Sequence, residues 1–132
     1  MMMNSTAHPI RILMVDDEPL IAELVVDVLT AEGYEVDTAA SGLLALDRIE
    51  EGSYDLILSD LRMPDLDGFA FYHELERRRP ELVRRMIFIS GTTEHPEYQK
   101  FLDEAGVPML SKPFHVEDLC RLAEQSLAGA QT

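Results

Sequence analysis

The sequence predicts an α/β domain with five parallel strands and helices on both faces of the sheet, and three observations carry that prediction. Short apolar runs alternate with amphipathic stretches of helical length, strand then helix, five times over. Their spacing of about 20 residues is that of βαβ units. Strands alternating with helices at that spacing imply a parallel sheet covered on both faces. Finally, the runs end in polar or acidic residues, at Asp16-Asp17, Asp60, Ser90 and Lys112, and in such sheets the ends of the strands are where loops and helix N-termini converge.

The elements follow in order. Met1 to Pro9 is polar and aperiodic and reads as a disordered tail that precedes a single domain over 10–128, with a second short tail at 129–132. Ile10 to Val15 is apolar apart from Arg11, the pattern of a strand buried on both faces, and Asp16-Asp17-Glu18-Pro19 closes it. Pro19 suits the first turn of a helix in which Ile21, Leu24, Val25, Val28 and Leu29 recur at helical spacing until Gly33. Glu35 to Ala39 is a short second strand. Ser41 then caps a helix with Leu43, Leu44, Leu46 and Ile49 expected on its inner side before Gly52.

Leu56 to Asp60 is the third strand, stopped by Pro64 and Asp67-Gly68. A helix carrying Phe69, Phe71, Tyr72 and Leu75 runs into Arg77-Arg78-Arg79, three cations that complement a helix C-terminus better than they suggest a nucleic-acid patch. Met86 to Ile89 ends at Ser90-Gly91-Thr92-Thr93; a fourth helix spans Pro96 to Ala105, and a fifth strand near Met109-Leu110 ends at Ser111-Lys112-Pro113. The last helix runs from Val116 to Leu127, with Cys120 on its apolar side as a small buried hydrophobe. Right-handed crossovers and five units favour the flavodoxin-like order 2-1-3-4-5. Its switch point falls between strands one and three.

That topology brings Asp16, Asp17 and Asp60 into one crevice, beside Ser90 and Lys112. Taken singly, Asp60 fits a turn-capping aspartate better than a reactive one; the convergence reverses the balance. Two carboxylates about 4 Å apart repel by roughly 4 kcal/mol at an effective dielectric near 20, so three need a counter-charge. Lys112 supplies one, and a hard divalent ion, magnesium before zinc or calcium, supplies the rest. The four histidines, His8, His73, His95 and His115, have no metal spacing. With magnesium bound, Asp60 is the candidate nucleophile towards phosphorus, Lys112 the cation against the phosphoryl oxygens and Ser90 a hydrogen-bond donor to them.

Composition narrows the classes. The chain has 132 residues, 46% of them hydrophobic, enough for one substantial core. A formal charge of −14 disfavours direct contact with nucleic acid or an anionic membrane surface. One cysteine rules out an intrachain disulfide framework and suits a reducing compartment. No apolar run approaches the ~18 residues of a membrane span, and no signal-peptide core is visible, so the expected location is the cytoplasm.

As a set, Asp16-Asp17, Asp60 with Met63-Pro64 and Asp67-Gly68, Ser90 and Lys112-Pro113 resemble the response-regulator receiver domain of two-component signalling, over about Arg11 to Leu127. The resemblance implies that Asp60 is the phosphoacceptor, that Asp17, Asp60 and the backbone carbonyl of Arg62 bind magnesium directly with Asp16 acting through water, that Ser90 is the switch hydroxyl and Lys112 the phosphate-pairing cation, and that the Lys112-Pro113 bond is cis. It implies a phosphorelay protein rather than an enzyme. The phosphoryl group would come from a histidine kinase or phosphotransfer protein, and the output would be a protein contact around Tyr98, Phe101, Met109 and the last helix, a surface that also suits a homodimer through the fourth helix, fifth strand and fifth helix.

Two departures stand out. Met109 occupies a position often aromatic in the family, and Gly91 follows Ser90 where alanine is common. Arg62 and Thr92 are expected to set the phosphorylated lifetime. The competing readings are an unphosphorylated receiver-like binding module and a small aspartyl phosphatase; the complete acid set with Lys112 argues against the first, and the lack of a second acid two residues after Asp60 argues against the second.

Overall fold

The chain alternates as the periodicity requires: β1 Arg11–Val15, α1 Pro19–Ala31, β2 Glu35–Ala39, α2 Gly42–Glu51, β3 Leu56–Asp60, α3 Gly68–Arg78, β4 Met86–Ser90, α4 Pro96–Ala105, β5 Met109–Ser111 and α5 Val116–Gln131. The structure, a computed structural model, describes residues 9–63, 65–91 and 96–131, leaving aside the side chains of 96–98 and 129–131. The expected tail at 1–9 therefore lies almost wholly outside the described residues, as do Pro64, Thr92, Thr93 and His95.

The five strands form one parallel sheet in the order β2-β1-β3-β4-β5, as expected. Strands β3 and β4 are buried along their whole length, and β1 from Ile12 onwards, because helices cover both faces. The pleat then divides the core into two layers. Leu13, Val15, Ile57, Met86 and Phe88 face Ala45, Leu46, Ile49, Phe71, Leu75 and Leu102 of α2, α3 and α4. Ile12, Met14, Leu56, Leu58, Ile87 and Ile89 face Val25 and Leu29 of α1 and Leu119, Ala123 and Leu127 of α5.

Local signals act where the sequence places them. Pro19 opens α1 behind an extended Glu18, and Gly33 takes a φ of 98° just beyond its end, in the left-handed region that glycine tolerates. Ser41 accepts a hydrogen bond from the Leu44 amide at the start of α2, and Asp67 from the Ala70 amide at the start of α3. The arginines at the end of α3 are tied to carboxylates: Arg77 and Arg78 to Glu74, Arg78 also to Glu50, and Arg79 to Glu81.

Four expectations need correction. Leu43 and Leu44 are about half exposed, and the buried face of α2 is Gly42, Ala45, Leu46 and Ile49. The helix is phased by Gly42, which sits so close to Leu66 that a Cβ there would lie 2.8 Å from the Leu66 carbonyl oxygen. Leu24 is exposed where it was expected to pack, because the inner stripe of α1 is centred on Val25 and Leu29. Cys120 is half-buried rather than buried. Helix α5 continues to Gln131 instead of stopping at Leu127, as the strong helix formers Ala128 and Ala130 on either side of Gly129 allow. A 3-10 helix at Pro80–Arg85, which no periodicity announced, leads into β4 and buries Leu82.

Candidate functional site

The site lies at the C-terminal end of the sheet, where β1 and β3 are neighbours and their helices depart to opposite faces. The Asp16 amide donates to the Ala39 carbonyl, extending the β1–β2 ladder by one residue and fixing the carboxylate at the strand end. Asp60 closes β3, its strand position held by pairing with β4. Two backbone amides meet the carboxylates, Glu18 donating to Asp16 Oδ1 at 2.9 Å and Arg62 to Asp60 Oδ1 at 3.2 Å. Asp16 and Asp60 are buried and Asp17 is exposed, and one oxygen from each of the three lies within 4.8 Å of the others. The three aspartates that sequence reasoning brought to one crevice are together.

Lys112 reaches them from the end of β5. Its amide donates to the Ser90 carbonyl, which locks the tip of β5 to the tip of β4, and the peptide bond to Pro113 is cis. The Lys112 ammonium donates to Glu18 at 2.7 Å, Asp60 at 3.1 Å and Asp16 at 3.2 Å. Burial opposes its charge, but the hydrogen bonds to Glu18 and Asp60 and the nearby charges of Asp60 and Asp16 outweigh it, so its pKa is raised above the ordinary lysine value. Asp16 moves the other way in charge preference. Burial pushes its pKa up, and the Glu18 amide and Lys112 only partly offset this.

Ser90 ends β4 with its side chain fully buried. Ser59, just before Asp60, is also buried, and its hydroxyl donates to the Asp60 carbonyl at 3.0 Å. The loop after Asp60 is closed at its base, where the Gly68 amide donates to the Leu61 carbonyl, and held further along, where Asp65 accepts from the Leu43 amide at the start of α2. A larger residue than Gly68 would force its neighbours to shift, since a Cβ would sit 2.9 Å from Leu61 Cα and 3.0 Å from the Phe88 ring.

The donor set fits a hard divalent cation. Three carboxylates crowd together and a single ammonium faces them, so positive charge is still wanting, and every candidate ligand is oxygen. Glu18 is the participant that sequence reasoning named without giving a role. Its signal was its place as third acid in the run after β1, but its partnership with Lys112 spans 94 residues of chain. Thr92, expected near the site, lies outside the described residues, and the Arg62 side chain is exposed.

Comparison with known proteins agrees with this geometry. The response regulator receiver domain pattern matches residues 12–124. The chain is 35% identical over 121 residues to the transcriptional regulatory protein TcrA of Mycobacterium tuberculosis, covering 91% of this chain and 47% of TcrA. It is 34% identical over 118 residues to the sensor kinase CckA of Brucella abortus, covering 88% of this chain and 12% of that one. The chain thus spans about half, or much less, of these relatives. Among solved structures, a CheY-like receiver domain protein from Methanospirillum hungatei JF-1 superposes with a TM-score of 0.86 at 30% identity, covering 94% of this chain and 98% of that one. The response regulator TrrA of Thermotoga maritima, solved in complex with Mg(2+)-BeF, gives 0.77 at 31% identity over 89% of this chain and 98% of that one.

Proposed function

The chain belongs to the response regulator receiver domain family of two-component signalling, and from that membership we propose that Asp60 is its phosphoacceptor, taking a phosphoryl group from the phosphohistidine of a histidine kinase or phosphotransfer protein. Receiver domains are signalling modules rather than metabolic enzymes, and the family binds Mg2+ at its acidic pocket. The observation that carries the proposal is the approach of the Lys112 ammonium to Asp60, in a pocket that also holds Asp16 and Asp17.

Asp60 is buried at the strand end with Oδ1 accepting from the Arg62 amide and Oδ2 from the Lys112 ammonium, and Oδ2 attacks phosphorus as Lys112 turns to the incoming phosphoryl group. As the new P–O bond forms, the bond from phosphorus to the donor's imidazole nitrogen breaks and its electron pair stays on the ring. Lys112 follows the charge onto the phosphoryl oxygens, and the Ser90 hydroxyl donates to one of them. Asp17, Asp60 and the Arg62 carbonyl would hold Mg2+, with Asp16 acting through water. When bound, the ion supplies the positive charge that the pocket lacks.

Phosphorylation biases the domain only through the difference in what Ser90 and Lys112 gain in its two states. Both sit at strand tips joined directly to α4 and β5, so we place the output there: a protein contact, or a homodimer, using Phe101, Met109 and α5. Phe101 packs its ring on Phe88 at 5.7 Å, and Phe88 pairs with Met109 across the sheet, so the surface is wired to the strand that ends in Ser90. The Tyr98 side chain expected there lies outside the described residues. Among the described residues no helix is long and apolar enough to cross a membrane. The acidic charge and single cysteine suit a cytoplasmic protein that does not touch nucleic acid directly.

Acetyl phosphate in the presence of Mg2+ tests the reading. Intact-mass spectra should show one added phosphoryl group on the wild type and none on Asp60→Asn. An unlabelled wild type would instead make this a receiver-like binding module.

A further inference from the structure

Lys112 has three N–H donors, and three carboxylates take them. The partners are unequal. The Asp16 side chain is wholly buried and Asp60 is nearly so, at 0% and 8% exposed, whereas Glu18 is 58% exposed yet makes the shortest contact, 2.7 Å. Glu18 is held for this contact by its backbone. As the cap residue of α1 its amide donates to Asp16 and its carbonyl accepts from Ala22, while its side chain caps nothing and is left for Lys112.

An acyl phosphate on Asp60 carries its phosphoryl oxygens two bonds beyond the carboxylate oxygen, so the ammonium must shift to meet them. Of its three partners only Glu18 lies far enough into water to be exchanged at little cost. The four carboxylates and one ammonium also leave the pocket at −3, and Glu18 contributes to the repulsion felt by an anionic phosphodonor. Building on the assignment of Asp60, we propose that Glu18 is a positioning residue that tethers Lys112 in the unphosphorylated state and competes with the incoming phosphoryl group for it. The tether slows loading of Asp60. It also makes loading an exchange of ion pairs, one carboxylate for one phosphoryl group, rather than the gain of a new one.

The test compares wild type, Glu18→Gln and Glu18→Asp in acetyl phosphate and Mg2+, following intact mass against time. Glu18→Gln removes the charge and weakens the tether to a neutral hydrogen bond; Glu18→Asp keeps the charge but is one methylene too short to hold the contact. Both variants should load faster, by about two- to five-fold, the equilibrium equivalent of one exposed ion pair. The chain has only two lysines, Lys100 and Lys112, so the Lys112 ammonium resonance of 15N-lysine protein is assigned by Lys100→Arg, and it should move in both Glu18 variants. Loading that is unchanged or slower in Glu18→Gln overturns the proposal. So does acceleration in Glu18→Gln alone, which makes the effect one of charge without a tether, or acceleration with an unmoved Lys112 resonance. Wild type that takes no label removes the phosphoacceptor reading and this inference with it; wild type that labels normally while the variants match it removes the inference alone.

Discussion

Replacing Asp16 by asparagine should stabilise the metal-free protein. Asp16 is 3% exposed, and burial is the largest influence on its carboxyl, raising its pKa above the ordinary 3.8. A carboxyl whose folded pKa is raised favours folding when protonated. That contribution is present below 3.8 and is lost as pH rises through the folded pKa, so at neutral pH the ionised group weakens the fold. The neighbouring charges explain why. One oxygen each of Asp16 and Asp60 lies within 4.8 Å, a repulsion of about 3.5 kcal/mol at an effective dielectric of 20. Lys112 offsets much of this, but it is shared among three carboxylates. Removing the Asp16 charge does not strand the lysine, which keeps Glu18 and Asp60. The expected gain is therefore roughly 1–2 kcal/mol, the lower end of what neutralising buried ionic groups returns. For a chain of this length that is a rise in Tm of about 3–8 °C.

The assay is thermal and urea unfolding in EDTA from about pH 5 to 8, where the gap between Asp16→Asn and wild type should narrow as pH falls towards the carboxyl's folded pKa. Adding Mg2+ at ten times its dissociation constant should return about 1.4 kcal/mol to the wild type and markedly less to the variant. An Asp16→Asn protein that is less stable than wild type without metal, or that gains as much from Mg2+, refutes the argument that this pocket is over-charged when metal-free.

Two further outcomes follow from packing and hydrogen bonding away from the acids. Gly68→Ala should cost about 2 kcal/mol despite alanine's better helix propensity, because the new methyl meets Leu61 Cα at 2.9 Å and the Phe88 ring at 3.0 Å. A lowered urea midpoint at unchanged slope, with slower labelling of Asp60, checks it; a stability equal to wild type would contradict the close approach. Tyr54 donates to Asp37 at 2.7 Å beneath the Arg11 guanidinium, and burial first, then this bond, pushes its pKa up to about 12. Its contribution is fully present below pH 10 and lost as pH rises through about 12. Tyr54→Phe should cost about 1 kcal/mol at neutral pH, and the last tyrosine to ionise in an ultraviolet titration should vanish with it.

Much of the fold was legible because its information is local. Runs such as Leu56 to Leu58 and Met86 to Ile89 are buried on both faces and read as continuous apolar strands, and the cap Ser41 acts within three residues of its own position. The acid cluster was legible because a parallel sheet forces the ends of neighbouring strands together whatever lies between them. What escaped depended on a second segment. Leu43 and Leu44 look like core by composition, but the rotation of α2 is decided by the fit of Gly42 against Leu66. Glu18 looks like a solvated acid until Lys112 is placed 2.7 Å away. The Pro80–Arg85 turn, with charge at three of its six positions, carries too little apolar pattern to reveal that Leu82 is buried.

The seat of α2 has a mechanical corollary. Its first residue bears on the backbone of the loop that leaves Asp60, and Asp65 of the same loop holds the Leu43 amide. The helix and the loop are therefore in direct contact, which gives a rearrangement around the phosphoacceptor a path to the β2 margin of the molecule that does not run through the strands between them. The two leucines turned outward on that helix ride with it.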